Sequence, residues 1–128
     1  MRLLLDTHTF LWFVLNDSQL SGAAQSLIND PANDILISPA SYWEIAIKVG
    51  LGKLDLHAPY DDFMRRGIVG NDFETLPIEP RHTSVLTTLP LHHRDPFDRL
   101  MIAQAMIEAI PIVGMDAVFD SYGVQRLW

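Results

Sequence analysis

A chain of 128 residues with 48% hydrophobic and 20% charged content suits one compact domain, residues 1–128, and is too apolar for a disordered one. The absence of cysteine excludes disulfides, thiol catalysis and sulfur-ligated zinc or iron. A net charge of −7 argues against a broad basic surface for nucleic acid, yet leaves room for action on a polyanion if cations screen the carboxylates at a site.

In chain order, RLLL (2–5) is a short apolar run ending at Asp6, the pattern of a buried strand. THTFLWFVLN (7–16) follows as a helix apolar nearly all round, with Asp6 placed to cap it. Asp6 also breaks the apolar opening too early for a signal sequence, and no run approaches the ~20 apolar residues of a membrane span. The expectation is a cytoplasmic protein with no membrane association. A second helix begins after Ser21, and DILIS (34–38) is the second strand. PASYWEIAIKVG then reads as a helix with Ser38 as cap, Pro39 at its first position and Gly50 and Gly52 at its end. A helix over 60–68, a strand at 73–78 and a helix starting near Glu79 and closed by a turn at Pro90 come next.

HHRDPFDRLMIAQAMIEA (92–109) carries the strongest helix signal. Asp95 stands as N-cap, Pro96 at the first position and Asp98 in the first turn, ahead of apolar residues that bury most of the helix. IPIVGMD gives a strand ending at Asp116, then a helical turn and a last strand at 124–127. Strands and helices alternate, and the strands lack a period of two. Both features predict a three-layer α/β/α sandwich with a mainly parallel central sheet.

In such a sheet, ligands bind at the carboxyl ends of the strands. Asp6 and Asp116 each follow a strand, while Glu44 and Asp98 lie in the first turns of helices that begin at or near the same edge. Four carboxylates distant in sequence thus converge on one cleft. Each also has a plainer use: turns and caps for the aspartates, and for Glu44 an ion pair with Lys48 one helical turn on. A glutamate within YWEIAI, apolar on nearly every face, is nonetheless poorly placed for mere decoration. Two charges ~4 Å apart repel by ~4 kcal/mol at an effective dielectric of 20. Either some carboxyls stay protonated or a divalent cation resolves the conflict, and all-oxygen ligands favour Mg²⁺ or Mn²⁺. Phosphodiester hydrolysis is the chemistry that follows.

LLLDTHTFLW, SPASYWEIAIKVGLGKL, LHHRDPFDRLMIAQA and IVGMDAVFDSYGV, in that order, resemble the PIN-domain ribonucleases, and among them the VapC-like toxins of bacterial toxin–antitoxin pairs. The resemblance spans nearly the whole chain. It implies a PIN-like fold and a metal-dependent endoribonuclease with Asp6, Glu44, Asp98 and Asp116 as the acidic metal and catalytic set, Thr7 as an accessory and Asp95 as a cap supporting the site. It also implies an RNA substrate, a homodimer and a cognate antitoxin. Relatives commonly carry Thr or Ser two residues before the last acid; here Gly114 stands instead, and a hydroxyl that could orient metal-bound water is missing.

Lys48, Lys53, Arg94 and Arg99 are candidate RNA contacts, with solvated surface, or an Arg99–Asp95 pair, as the alternative. His92 and His93 lack a second histidine at metal-binding spacing and read as ordinary loop residues. Trp12, Phe13, Tyr42 and Trp43 read as core or dimer surface rather than base-stacking platforms. Two rivals stand beside the nuclease reading. A phosphohydrolase with an aspartyl nucleophile usually has a second Asp two residues after the first, where this chain has His8. A non-catalytic partner-binding domain would keep the fold without the chemistry.

Overall fold

The protein is described by a computed structural model covering residues 1–128. β1 (Arg2–Leu5) is the centre of a five-stranded, wholly parallel sheet. β2 (Asp34–Ile37) and β3 (Glu74–Thr75) lie to one side of it, β4 (Ile112–Val113) and β5 (Arg126–Leu127) to the other. Register pairs Leu3 with Ile35 and Leu5 with both Ile37 and Val113.

Parallel strands expose two faces, and both are buried. Leu3 and Leu5 point into one core with Phe10, Ile28, Ile35, Ile37, Phe63 and Phe73. Leu4 points into the other with Leu36, Met101, Ile102, Ile112 and Phe119. Burying each of these leucines fully is worth ~1.5–3 kcal/mol, which explains a strand of consecutive leucines rather than an alternating one. α1 (Thr7–Val14), α2 (Gly22–Asn29) and α4 (Tyr60–Ile68) supply the first core; α5 (Pro80–Leu86) and α6 (Pro96–Glu108) pack together over the second. α3 (Pro39–Gly50) gives Ile45 to the first core and Ala40 to the second. The three-layer α/β sandwich with a parallel sheet is the observed fold.

The caps act at their expected residues. Asp6, Ser21, Ser38 and Asp95 each accept from backbone N–H groups at the starts of α1, α2, α3 and α6. Strand lengths differ from expectation: β3, β4 and β5 are two residues each. Beyond Thr75 the chain leaves the ladder at Pro77, and a proline has no N–H to pair. Glu44 is the sixth residue of α3 and stands in its second turn, not its first. No helix is long and apolar enough to cross a membrane.

Candidate functional site

Strand order reverses direction at β1: the chain moves from β1 to β2 on one side and later returns to β4 on the other. A parallel sheet opens a crevice at the carboxyl ends of such a pair. Asp6 directly follows β1 and Asp116 follows β4 after Gly114 and Met115. Both aspartates are therefore delivered to the crevice by adjacent strands.

Each uses one oxygen as a cap. Asp6 Oδ1 accepts from the Thr9 N–H at 2.7 Å, and Asp116 Oδ1 accepts from the Val118 N–H at 3.0 Å, starting the 3-10 turn Ala117–Tyr122. The Oδ2 atoms are left for other partners. That of Asp6 lies against Gly114, where a Cβ would stand 2.7 Å from it and 3.1 Å from the Phe119 ring. Gly114 is thus the residue that makes room for Asp6. A Thr or Ser there would collide with the carboxylate as it is placed here, so the glycine changes the shape of the site as well as removing a hydroxyl.

α6 brings Asp98. Asp95 Oδ1 accepts from the N–H groups of both Phe97 and Asp98, at 2.8 and 3.1 Å, which fixes the first turn. Asp95 is confirmed as the helix cap. The Asp98 carboxyl is pushed up to about 8, first by burial and then by the charges of Asp95, Asp6, Glu44 and Asp116. Asp6 is also raised, chiefly by burial, against the opposing effects of hydrogen bonding from Thr9 and the charge of His8. Asp98 thus feels the charge of each of the other three acids.

Glu44 enters from α3, 4% exposed. Its Oε2 accepts from Lys48 Nζ at 2.6 Å, while its Oε1 is buried with no partner. A buried carboxylate oxygen without a donor is costly, and a cation is one partner that would satisfy it. Thr7 joins its hydroxyl to that of Ser41 at 2.9 Å, tying the start of α1 to the helix that carries Glu44. Thr9 Oγ1 donates to the Val113 carbonyl at 2.9 Å, binding α1 to β4.

His93 was expected to be an ordinary loop residue, and the structure corrects that. Its Nε2 lies 2.9 Å from Asp98 Oδ2 and 3.1 Å from Asp116 Oδ2. The nearest ligand-type atoms of His93, Asp98 and Asp116 all fall within 4.8 Å of one another. No spacing rule finds it, because its partners come from α6 and from beyond β4. His92 stays outside, packed on Tyr122.

The candidate basic residues divide. Lys48 is engaged by Glu44. Arg99 does not pair with Asp95; it donates to the carbonyls of Leu89, Pro90 and His93, holding the loop before α6. Arg99 thus holds the loop that carries His93. Arg94 is exposed beside His93, and Lys53 lies exposed past the end of α3. A cleft of about 410 Å³ adjoins the acids, lined by Asp6, His8, Trp12, Met115, Asp116 and Ala117. Trp12 lines this cleft and also packs against Trp128, Phe13 and Tyr42 border the first core, and Trp43 is exposed with its ring on Phe97.

The PIN domain family model matches residues 3–125. Among solved structures, the chain is similar to VapBC2 from Rickettsia felis bound to a promoter DNA fragment, with 13% identity and TM-score 0.63 over 99% of this chain and 98% of that one. It is similar to FitAcB from Neisseria gonorrhoeae, with 14% identity and TM-score 0.64 over 98% and 96%. It is also similar to VapBC-1 from nontypeable Haemophilus influenzae, with 15% identity and TM-score 0.64 over 99% and 97%. At these identities the likeness is one of fold. No curated protein sequence matches. The family match extends over nearly the whole sheet-and-helix sandwich and takes in all four converging acids, and on it the chain belongs to the PIN domain family.

Proposed function

We propose that this single domain, residues 1–128, is a divalent-metal-dependent endoribonuclease and the toxin of a toxin–antitoxin pair. The observation that carries the reading is the convergence of Asp6, Glu44, Asp98 and Asp116 at the switch point of the sheet, with Glu44 Oε1 buried and unpartnered. PIN domains are in general nucleases, and the similar solved structures are VapBC and FitAB complexes, which supports an antitoxin as partner.

Asp6, Asp98, Glu44 and Asp116 would hold Mg²⁺ or Mn²⁺, the hard cations that all-oxygen sites favour. Such an ion, when bound, supplies an activated water and offsets charge gathering on the phosphoryl oxygens. Asp6 and Asp116 each keep a cap bond on one oxygen, so their second oxygens are held in fixed directions. Asp95 orients the first turn of α6 and through it Asp98. Thr7, through Ser41, steadies α3 and Glu44. Lys48 neutralises one oxygen of Glu44 and leaves the other for the ion. Arg94 and Lys53 are the exposed cations available to an RNA backbone. A homodimer in the cytoplasm completes the proposal.

RNA cleavage by the purified protein in Mn²⁺ or Mg²⁺, beside EDTA and Asp98→Asn, tests it. Structured and unstructured RNAs should both be offered. Cutting that needs metal and vanishes in the variant is expected. Equal cutting by Asp98→Asn, or cutting in EDTA, overturns the metal mechanism.

A further inference from the structure

His93 is held so that only one of its nitrogens carries the proton. The Asp95 backbone N–H donates to Nδ1 at 3.2 Å. An amide can only donate, so Nδ1 presents its lone pair and the neutral ring bears its proton on Nε2. That Nε2 lies between Asp98 Oδ2 and Asp116 Oδ2, at 2.9 and 3.1 Å. A nitrogen with this proton has no lone pair for a metal. The trio has the spacing of a three-ligand cation site, yet the ring is a donor standing where the cation would be.

The backbone around the ring is fixed. The His93 N–H donates to the Tyr122 hydroxyl at 2.6 Å, and the His93 carbonyl accepts from Arg99 Nη1 at 3.3 Å. Its ring packs on Phe119, centroids 6.1 Å apart. Turning about the side-chain bonds is the movement left to it. We propose that His93 is a built-in competitor for the cation: its Nε2–H bridges Asp98 and Asp116 in the metal-free protein and must leave those oxygens before a divalent ion takes them. The inference rests on the metal-site reading above. It makes His93 a positioning residue that keeps Asp116, 43% exposed in its side chain, turned toward Asp98 while the ion is away, at the cost of weaker metal binding.

Mn²⁺ binding measured by electron paramagnetic resonance of the free ion, on wild type, His93→Phe and Asp98→Asn in mildly alkaline buffer, is the test. His93→Phe keeps the ring against Phe119 and removes the donor. It is expected to bind Mn²⁺ about tenfold more tightly, the effect of releasing one charge-assisted hydrogen bond. Weaker binding would make His93 a ligand, and equal binding a bystander; either overturns the competitor role. Long-range ¹H–¹⁵N spectra of the wild type give a second readout that does not depend on the variant folding. A protonated Nε2 in the metal-free protein that shifts on saturation with Mg²⁺ supports the inference; a proton on Nδ1, or no shift, overturns it. Wild type that binds no Mn²⁺ at all overturns the metal reading itself, a result distinct from equal binding by wild type and His93→Phe.

Discussion

At Asp98 the energetic conflict of the site is concentrated in one carboxyl. Its folded value of about 8 lies well above the ordinary 3.8, so the folded protein holds that proton more tightly than the unfolded chain. Stability from this group is therefore fully present below 3.8 and is lost as pH rises through about 8. Asn is neutral at every pH. In EDTA, Asp98→Asn is expected to gain on wild type across that window, by on the order of a few kcal/mol at its alkaline end. Urea denaturation at mildly acidic and at alkaline pH measures it, and a constant gap between the two proteins contradicts the account. Gly114 offers a second test at this scale. Gly114→Ser forces its Cβ toward Asp6 Oδ2 and is expected to cost ~1–3 kcal/mol by overpacking while weakening Mn²⁺ binding. Thermal unfolding and a metal titration of that variant check both effects; a stable variant with improved binding would show that Asp6 moves aside freely.

The elements explain why capping and chemistry did not have to be alternatives. Read as residues, Asp6 and Asp116 looked equally suited to ending a turn or holding a ligand. In the fold each does the first with Oδ1 and leaves Oδ2 toward the crevice or His93. α6 shows the division differently, since Asp95 takes the cap and frees Asp98 entirely. Asp95→Ala is expected to cost ~1 kcal/mol as a lost cap, and to loosen Asp98 enough that Mn²⁺ affinity falls with it; calorimetry reads the first and titration the second. The helices and their caps were legible because Asp-Pro and Ser-Pro starts and apolar periodicity are local signals. β3, β4 and β5 were legible as strands but not in their two-residue lengths, because their pairing depends on neighbours far along the chain. His93 was missed for the same reason: its role is made by Asp98 and Asp116, and nothing in the run HHRD announces them. Arg99 bonds three carbonyls that only the folded loop brings within reach.

For the whole molecule, four acids facing one another make the metal-free fold a compromise. A bound ion that favours the folded state over the unfolded one stabilises it by ~2.7 kcal/mol at a hundredfold excess over Kd. For a domain of this size that corresponds to a Tm rise of ~10 °C. Differential scanning fluorimetry with Mn²⁺, reversed by EDTA and absent in Asp98→Asn, is the expected result; an unchanged Tm at saturating metal would separate the acids from any ion. On the proposed nuclease reading, the net charge of −7 means that RNA would be drawn in locally, beside the acids, rather than by the surface at large. Cleavage should therefore depend on the cation's concentration more steeply than on ionic strength.

The bond from Thr9 to the Val113 carbonyl spans 104 positions, and it sets a timetable. A ribosome adds ~5–20 residues per second, so β1, α1 and α3 exist for several seconds before β4 is made. Through that interval Asp6 and Glu44 are present, but Asp116 has not been synthesised and the central strand has no neighbour on one side. The crevice can form only after β4 and Asp116 have been made. On the proposed nuclease reading, the four-acid site is incomplete, and cutting withheld, until Asp116 has been synthesised.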